Sequence, residues 1–279
     1  MINIKDVTFQ YFGSERPILQ NFSLKIEKNE FIGIIGPTGC GKSTICYLFN
    51  GLIPHVFKGL FDGDVLVNGL NTRKQKVANL SKTIGLMLQE PSYQIATPFV
   101  ESEIAFGMEN FGYSREKMED QISQVIKTLG ISYLRKRSTS QLSEGEKQRV
   151  VLASILAMEP EVLVLDECSS MIDVQSKNNL MNTLRYLHKE KKKTIILVEH
   201  DLDLLLPLVD RILLINNGKI QADASALKIL KNSELLRKNQ LKPPLLTSLF
   251  NGLKKKGFQL SSYPKNYDEA HEILCRWLT

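Results

Sequence analysis

The feature that most constrains the fold is a glycine-rich segment, GPTGCGKST, at residues 36–44. It follows the apolar run FIGIIG and precedes a segment with a helical pattern, which is the context that a phosphate-binding loop requires. Glycines let the backbone wrap so that successive N–H groups point at phosphate oxygens. An ordinary glycine-rich turn is the alternative, and the flanking strand and helix disfavour it. The segment therefore predicts a loop that binds a nucleoside triphosphate, formed by Gly36, Pro37, Thr38, Gly39, Cys40, Gly41, Lys42, Ser43 and Thr44.

Composition limits the class of protein. The chain has 279 residues, of which 43% are hydrophobic, enough for a substantial core in one or two domains. No run of about 18 apolar residues occurs, so we expect no transmembrane helix. Lys5 and Asp6 stand where a signal peptide needs its apolar stretch. Four scattered cysteines favour a reducing compartment, and a net charge of +6 selects no partner.

Alternating strand and helix patterns predict an α/β fold. INIKDVTFQY alternates like a half-buried strand, whereas FIGIIG, VLVLD and TIILVEH are typical of parallel strands buried on both faces. RILLINNGKI predicts a hairpin that turns at its Asn-Gly pair. Residues 115–130 predict an amphipathic helix with its apolar stripe in the core. After LKPP at 241–244, the pattern predicts a small unit of two helices, one ending near Gly257 and one starting near Tyr267.

Two acids end one of the apolar runs. In an open parallel sheet, ligands bind beyond the carboxyl ends of the strands, where the phosphate loop also lies. Asp166 suits a metal site, directly or through water, together with the Ser43 hydroxyl as an Mg²⁺ ligand. Glu167 can orient or deprotonate an attacking water. Solvated strand ends are the alternative for two acids taken alone, and the phosphate loop upstream disfavours it.

Three further side chains are candidates for the same site. His200 ends the run TIILVEH, and its place predicts a contact with the γ-phosphate, although a lone histidine is more often structural or merely exposed. Gln89 follows another apolar run, so its amide can ligate Mg²⁺ and contact the attacking water, although a single glutamine there is more often a loop residue. Tyr11 can stack on adenine. The alternative is that Tyr11 belongs to the buried face of its strand, because Val7, Phe9 and Tyr11 alternate.

The segment QLSEGEKQRV at 141–150 predicts the start of a helix. Ser143 and Glu146 form a capping box, and a helix N-terminus favours an anion. Glu144 and Glu146 nevertheless bring two negative charges to this turn, which oppose a phosphate unless water screens them.

In this order the motifs resemble those of the ATPase subunit of an ATP-binding cassette (ABC) transporter, over residues 1–230. The matching pieces are Tyr11 in the adenine loop, GPTGCGKST as Walker A, Gln89 in the Q-loop, LSEGE as the signature, VLVLDE as Walker B, SMID at 170–173 as the D-loop and His200 as the switch histidine. The resemblance implies hydrolysis of ATP with Mg²⁺ by a P-loop NTPase core that carries an antiparallel β-subdomain and an inserted helical subdomain at about 92–160. It also implies two cassettes joined head to tail. The signature residues of one chain then face the ATP on the other chain's Walker A, through Ser143, Gly145 and Glu146.

Two stretches are similar to a narrower group, the energy-coupling factor (ECF) transporter ATPases: YQIATPFVESEIAFGMENFGYS after Gln89, and PPLLTSLFNGLKKKGF near the C-terminus. This resemblance implies a peripheral subunit at the cytoplasmic face of the cell membrane that powers uptake of vitamins or of cobalt and nickel ions. The implied partners are a transmembrane coupling protein and a substrate-binding membrane protein. Ser92 and Tyr93 depart from the usual acidic and asparagine residues before the glutamine. Glu144 and Glu146 replace a glycine and a glutamine of the commoner signature.

We expect an ABC ATPase domain at 1–232 and a small C-terminal, α-rich domain at 233–279. Lys42, Asp166, Glu167 and His200 form a complete set for hydrolysis, whereas the signature carries two extra acids, Glu144 and Glu146. This contrast favours a heterodimer with a related cassette, whose own signature completes the ATP site of this chain. Residues 93–107 are expected to contact the membrane subunit, with Glu101 and Glu103 on that surface. The alternative is that the apolar residues of this segment pack internally, namely Ile95, Phe99, Val100, Ile104 and Phe106. The alternative is a soluble ABC ATPase that acts on nucleic acid or ribosomes. No concentrated basic patch supports it, so no nucleic-acid partner is expected.

Overall fold

The computed structural model describes residues 1–169, 173–259 and 263–278, and these form two sheets packed with helices. The strands are β1 (Ile2–Tyr11), β2 (Leu19–Ile26), β3 (Phe31–Ile35), β4 (Gly59–Val67), β5 (Leu70–Asn71), β6 (Ile84–Met87), β7 (Val162–Asp166), β8 (Thr194–Val198), β9 (Arg211–Asn216) and β10 (Lys219–Ser225). The helices are α1 (Lys42–Phe49), α2 (Leu52–His55), α3 (Val77–Leu80), α4 (Val100–Asn110), α5 (Arg115–Thr128), α6 (Glu144–Ala157), α7 (Val174–Lys189), α8 (Leu202–Leu205), α9 (Ala226–Leu230), α10 (Ser233–Lys238), α11 (Leu245–Lys255) and α12 (Tyr267–Leu278).

The larger sheet has the strand order β10-β9-β3-β8-β7-β6. Neighbours from β9 to β6 pair in parallel, and β10 returns antiparallel to β9 in the predicted hairpin. Every residue of β3, β7 and β8 is buried. Successive residues of β3 alternate between two apolar clusters, with Phe31 and Ile35 in one and Ile32 and Ile34 in the other. The apolar runs are therefore parallel strands that are covered on both faces, as predicted.

The smaller sheet is antiparallel, with the strand order β2-β1-β4-β5. The inner residues of β1 are buried in one cluster with α1 and the larger sheet, among them Ile2, Ile4, Val7 and Phe9. Helix α1 shares this cluster with both sheets, and the loop that precedes it approaches Ile215 of β9 and Leu19 of β2.

Helices α4, α5 and α6 lie in the chain between β6 and β7 and share one large apolar cluster with the other face of the main sheet. The stripe on α5 is buried as predicted, through Ile122, Val125 and Ile126. The capping box of α6 is also formed as predicted, with Ser143 at the N-cap and Glu146 three residues later. The arrangement confirms the predicted α/β fold class.

The C-terminal helices α11 and α12 form a small apolar cluster of their own, which contains Phe250 and Ala270. Leu236 and Leu241 pack instead in the large cluster of the main sheet, beyond the predicted domain boundary at 232. The Asp203 carboxylate of α8 accepts the backbone N–H of Leu245 at 3.0 and 3.2 Å, and so caps α11. The boundary itself stays a prediction.

None of the helices in the described parts of the chain is both long and apolar enough to cross a membrane.

Candidate ATP site

The glycine-rich loop joins β3 to α1. A Cβ atom at position 36 would collide with the carbonyl oxygen of Ile215 in β9 and with the Cys40 sulfur. Gly41, which precedes α1, has a φ of +109°, a backbone conformation that favours glycine. The glycines therefore allow a tight loop pressed against β9. Its backbone turns into the N-terminus of α1, the end of a helix that favours phosphate.

Lys42 is almost fully buried beneath this loop. Its Nζ donates to the carbonyl oxygens of Gly36 at 3.1 Å and Pro37 at 3.2 Å, and lies 3.5 Å from Glu167 Oε1. The ammonium group is thus held at the loop by acceptors that a phosphate oxygen could replace.

Glu167 lies at the point where the sequence places it, directly after β7. Its carboxylate is mostly buried, and His200 Nε2 lies 2.7 Å from Glu167 Oε1. The Glu167 backbone has a positive φ of 50°, and its N–H donates to Val198 of β8 at 3.0 Å. The structure therefore brings two predicted site residues, Lys42 and His200, to one carboxylate oxygen of a third, Glu167.

Asp166 is the last residue of β7 and is 1% exposed. Neither of its carboxylate oxygens has a hydrogen-bond partner among the described residues. Burial raises the pKa of Asp166, and the nearby Ser43 hydroxyl opposes that shift without reaching hydrogen-bond geometry. A buried carboxylate without a partner is costly, and a divalent cation is the group that would compensate it. A hydroxyl and a carboxylate are hard oxygen ligands, so the residues present fit Mg²⁺.

An open cleft of about 230 Å³ lies over the loop. Its walls combine the glycine-rich loop with residues from β1, from the β6 end and from the β7 end. The lining residues are Tyr11, Ile18, Thr38, Gly39, Gly41, Lys42, Ser43, Thr44, Gln89 and Glu167. The structure thus brings Gln89 and Tyr11 to the same cleft as the phosphate loop.

Tyr11 shows features of both interpretations made from the sequence. Its ring packs edge-on against Phe9 with centroids 4.8 Å apart, and its hydroxyl lies 3.0 Å from Thr44 Oγ1. Burial raises its pKa. The side chain is half-buried on its strand and still borders the cleft, so adenine stacking stays a prediction.

Two residues, Gln94 and Glu103, hold the segment that follows β6 and carries Gln89. The sequence did not predict this role for either of them. Gln94 accepts the N–H of Leu88 at 2.7 Å and donates to the Leu86 carbonyl at 3.0 Å. Glu103 is buried and accepts the N–H groups of residues 96 and 97 at 2.9 and 2.8 Å. The expectation that Glu103 lies on an exposed surface is wrong, because its carboxylate satisfies backbone donors inside the fold.

The signature turn lies outside the cleft, since Ser143, Gly145 and Glu146 are not among the lining residues. Ser143 Oγ and Ser143 N each lie 2.9 Å from Glu146 Oε2. Backbone hydrogen bonding from Ser143 is the main cause that lowers the pKa of Glu146. Residues 170–172 of the predicted D-loop lie outside the described residues, and Asp173 caps α7 by accepting from Ser176 N at 3.0 Å.

Fold and cleft together define a P-loop ATPase with an inserted helical layer. A family model described as ABC transporter matches residues 19–170, more than half of the chain. An ABC transporter ATP-binding protein of Pyrococcus horikoshii is 41% identical over 277 residues, covering 99% of this chain and 97% of that protein. One of Pyrococcus abyssi is 41% identical over 257 residues, covering 92% of each. The chain therefore belongs to the ABC transporter ATP-binding family.

Two solved structures are similar over most of the chain. CbiO1 of Clostridium perfringens, part of the ABC transporter complex cbiONQ, has a TM-score of 0.74 and 26% identity, covering 90% of this chain and 98% of that one. The ATP-binding cassette MJ0796, dimeric in a post-hydrolysis state with ADP and phosphate, has a TM-score of 0.71 and 25% identity, covering 81% and 99%. The chain is an ABC-type ATPase, which confirms the predicted enzyme class. ATPases of this family bind ATP and use Mg²⁺.

Proposed function

We propose that this chain is the ATP-hydrolysing, energy-coupling subunit of a membrane importer of the ECF type, which takes up vitamins or cobalt and nickel ions. The observation that carries the hydrolytic role is the Glu167 carboxylate, which faces the cleft between the Lys42 ammonium and the His200 imidazole. Similarity to cbiO1, part of the cbiONQ complex, supports the importer type. The proposed location is the cytoplasmic face of the cell membrane.

Each cleft residue has a role that its contacts suit. Lys42 exchanges the carbonyl oxygens of its own loop for the oxygens of the β- and γ-phosphates. Glu167 orients or deprotonates the attacking water. His200, already bonded to that carboxylate, holds it in place and reaches the γ-phosphate. Gln89 is exposed at the cleft wall, where its amide would be able to ligate the metal and orient the water.

Ser43, Asp166 and Gln89 are the residues that would hold Mg²⁺. The chemistry that Mg²⁺ supplies when bound is neutralisation of charge on the phosphate oxygens. A bound cation would also offset the negative charge of Asp166, because both of its carboxylate oxygens are buried without a hydrogen-bond partner among the described residues.

The proposed assembly is a dimer with a related, non-identical cassette. Ser143 Oγ, which would meet the partner's γ-phosphate, is 2.9 Å from the Glu146 carboxylate. Glu144 is paired with Lys147 at 2.7 Å, so its charge is partly offset. Glu146 forms no ion pair among the described residues, although Arg137 helps to lower its pKa and Arg149 donates to the Gly145 carbonyl at 3.3 Å. The charge of Glu146 is therefore offset less directly than that of Glu144. The partner's own signature would then complete the stronger site, over Lys42 and Glu167 of this chain.

The proposed surface for the transmembrane coupling protein is a groove of about 210 Å³ between β6 and the helical layer. Its lining includes Gln94, Phe106 and Met158. Beside it, Tyr93 is 82% exposed and Phe99 and Phe106 are about half exposed. Exposed aromatic side chains around a groove are typical of interaction sites. Because Gln94 also holds the Gln89 loop, a subunit in this groove would touch the support of the ATP site. The membrane-bound assembly would also contain the substrate-binding membrane protein.

The test is to isolate the tagged chain from native membranes in mild detergent. We expect co-isolated membrane proteins and Mg²⁺-dependent ATPase activity in the complex. Phe106→Asp should remove the membrane proteins and leave ATP binding unchanged. The matched control is Tyr186→Asp, at a similarly exposed aromatic residue on α7. Recovery of nucleic acid or ribosomal proteins in place of membrane proteins would contradict the importer.

A further inference from the structure

Two departures from the commoner ABC and ECF patterns contact each other in the fold. Ser92 Oγ donates to Glu144 Oε2 at 2.5 Å, and Lys147 Nζ donates to Glu144 Oε1 at 2.7 Å. We call this set the Ser92–Glu144–Lys147 bridge. Ser92 and Glu144 are 52 residues apart in the chain, so the contact is tertiary.

The bridge joins two functional segments of the cassette. Ser92 belongs to the 3₁₀ turn Pro91–Gln94, three residues after Gln89. Glu144 is the first residue of α6, between Ser143 and Gly145 of the signature. The near end of the Gln89 loop is fixed to β6 by Gln94. The bridge fixes the same turn to the signature helix, so the signature has a defined position relative to the ATP cleft.

Charge makes the bridge selective for a neutral residue at position 92. Pairing with Lys147, followed by the Ser92 hydrogen bond, lowers the pKa of Glu144, so this carboxylate is ionised at neutral pH. A serine hydroxyl donates to an ionised carboxylate, whereas an aspartate at position 92 would set two negative charges in direct contact. The acid at 144 and the uncharged residue at 92 are therefore matched to each other.

We propose that Ser92 and Glu144 are positioning residues that couple the Gln89 loop of this chain's ATP site to the signature that covers the ATP of the partner cassette. Neither residue touches the reacting atoms of its own cleft. The bridge links the two ATP sites of the dimer within one chain. The inference rests on the proposed function, because the signature acts only when it faces a partner's ATP.

The experiment is a double-mutant cycle in the assembled complex, with kcat and KM for ATP measured separately. Ser92→Asp should lower kcat about five- to tenfold and move KM less than twofold, since residues in contact couple at this scale. In an E144Q background the same change should lower kcat by less than about twofold, because the neutral amide at position 144 does not repel the introduced carboxylate. Control variants are Ser132→Asp, an exposed serine in another 3₁₀ turn, and Glu116→Gln, an exposed first-turn acid of α5.

Ser92→Ala forms a second cycle that adds no charge. Its effect on kcat should disappear in an E144A background, where no side-chain acceptor for the Ser92 hydroxyl remains, and thermal unfolding of each variant separates positioning from loss of fold. Additive effects in both cycles, in a complex whose wild-type form hydrolyses ATP, would overturn the bridge and leave the proposed function standing. A wild-type complex without ATPase activity would instead overturn the proposed function itself.

Discussion

His200 Nε2 and Lys42 Nζ converge on a single oxygen, Oε1 of Glu167, at 2.7 and 3.5 Å. The three residues come from the ends of β8, the phosphate loop and β7, which parallel pairing places side by side. One carboxylate thus connects the phosphate-binding lysine with the predicted γ-phosphate contact. Any change to Glu167 should alter turnover more than binding.

The first prediction concerns Glu167→Gln. The amide keeps the size of the side chain and removes its ability to take a proton, so ATP binding should persist while steady-state turnover falls by about 10²- to 10⁴-fold. Equilibrium ATP binding and phosphate release in the assembled complex measure the two effects. Glu161→Gln, at an exposed acid just before β7, is the control and should change neither. Unchanged turnover in the Glu167 variant would remove its assigned role.

The second prediction concerns the unpaired acid. Asp166→Asn replaces a buried carboxylate without a partner by a neutral amide, so the nucleotide-free protein should gain stability, by about 1–3 kcal/mol. The same variant should lose Mg²⁺-dependent ATP binding. Urea unfolding without nucleotide and ATP titration with and without Mg²⁺ provide the two measurements. A less stable apo variant would show that the carboxylate has a compensating partner in solution.

The third prediction is the pH dependence that accompanies that acid. The folded-state pKa of Asp166 is raised above its unfolded value, so the folded protein holds the proton more tightly. Deprotonation of Asp166 is therefore more costly in the folded than in the unfolded protein. The free energy of unfolding falls as pH rises from the ordinary aspartate pKa through the raised pKa. Without nucleotide, the difference in unfolding free energy between wild type and Asp166→Asn should grow across that window. A difference that does not vary with pH would contradict it.

The fourth prediction concerns the buried acid of α4. Glu103→Gln removes a charged acceptor from the N–H groups of residues 96 and 97, so the free energy of unfolding should fall by about 1–3 kcal/mol. Glu109→Gln, an exposed acid on the same helix, is the matched control and should stay within about 0.5 kcal/mol of wild type. Equal stability of the two variants would mean that the backbone donors find water instead.

The fifth prediction tests the proposed heterodimer. The chain alone should hydrolyse ATP more slowly than the same chain mixed with a related cassette of its own organism, because the partner's signature would complete the site over Lys42. Glu146→Gln should raise turnover at the partner's ATP site by removing a negative charge near the γ-phosphate. Efficient ATPase and transport by this chain as a homodimer, unimproved by the second cassette, would contradict the assignment.

Local patterns predicted the parts of the structure that depend on neighbours in the chain. The buried strands β3, β7 and β8 follow from continuous apolar runs, and the capping box follows from a spacing of three residues. The position of Glu167 and His200 at one edge followed from the rule that parallel strands end together.

Contacts between distant segments were not predictable in the same way. Nothing in the sequence near Glu103 shows that its acceptors face two backbone N–H groups rather than solvent, because an acid on an amphipathic helix is usually exposed. Glu144 was judged from its charge alone, and its partner Ser92 is 52 residues away. Such pairings depend on how α6 packs against the turn that follows β6, which only the folded chain defines.

The cap that Asp203 gives to α11 has a consequence for how this protein can be shortened. Asp203 lies three residues after His200, and burial raises the pKa of its carboxyl group. A chain cut at residue 232 would leave that acid without the Leu245 N–H and would strip Leu236 and Leu241 from the large apolar cluster. We therefore expect truncation at residue 232 to destabilise the ATPase domain, because residues after that point cover part of its apolar core.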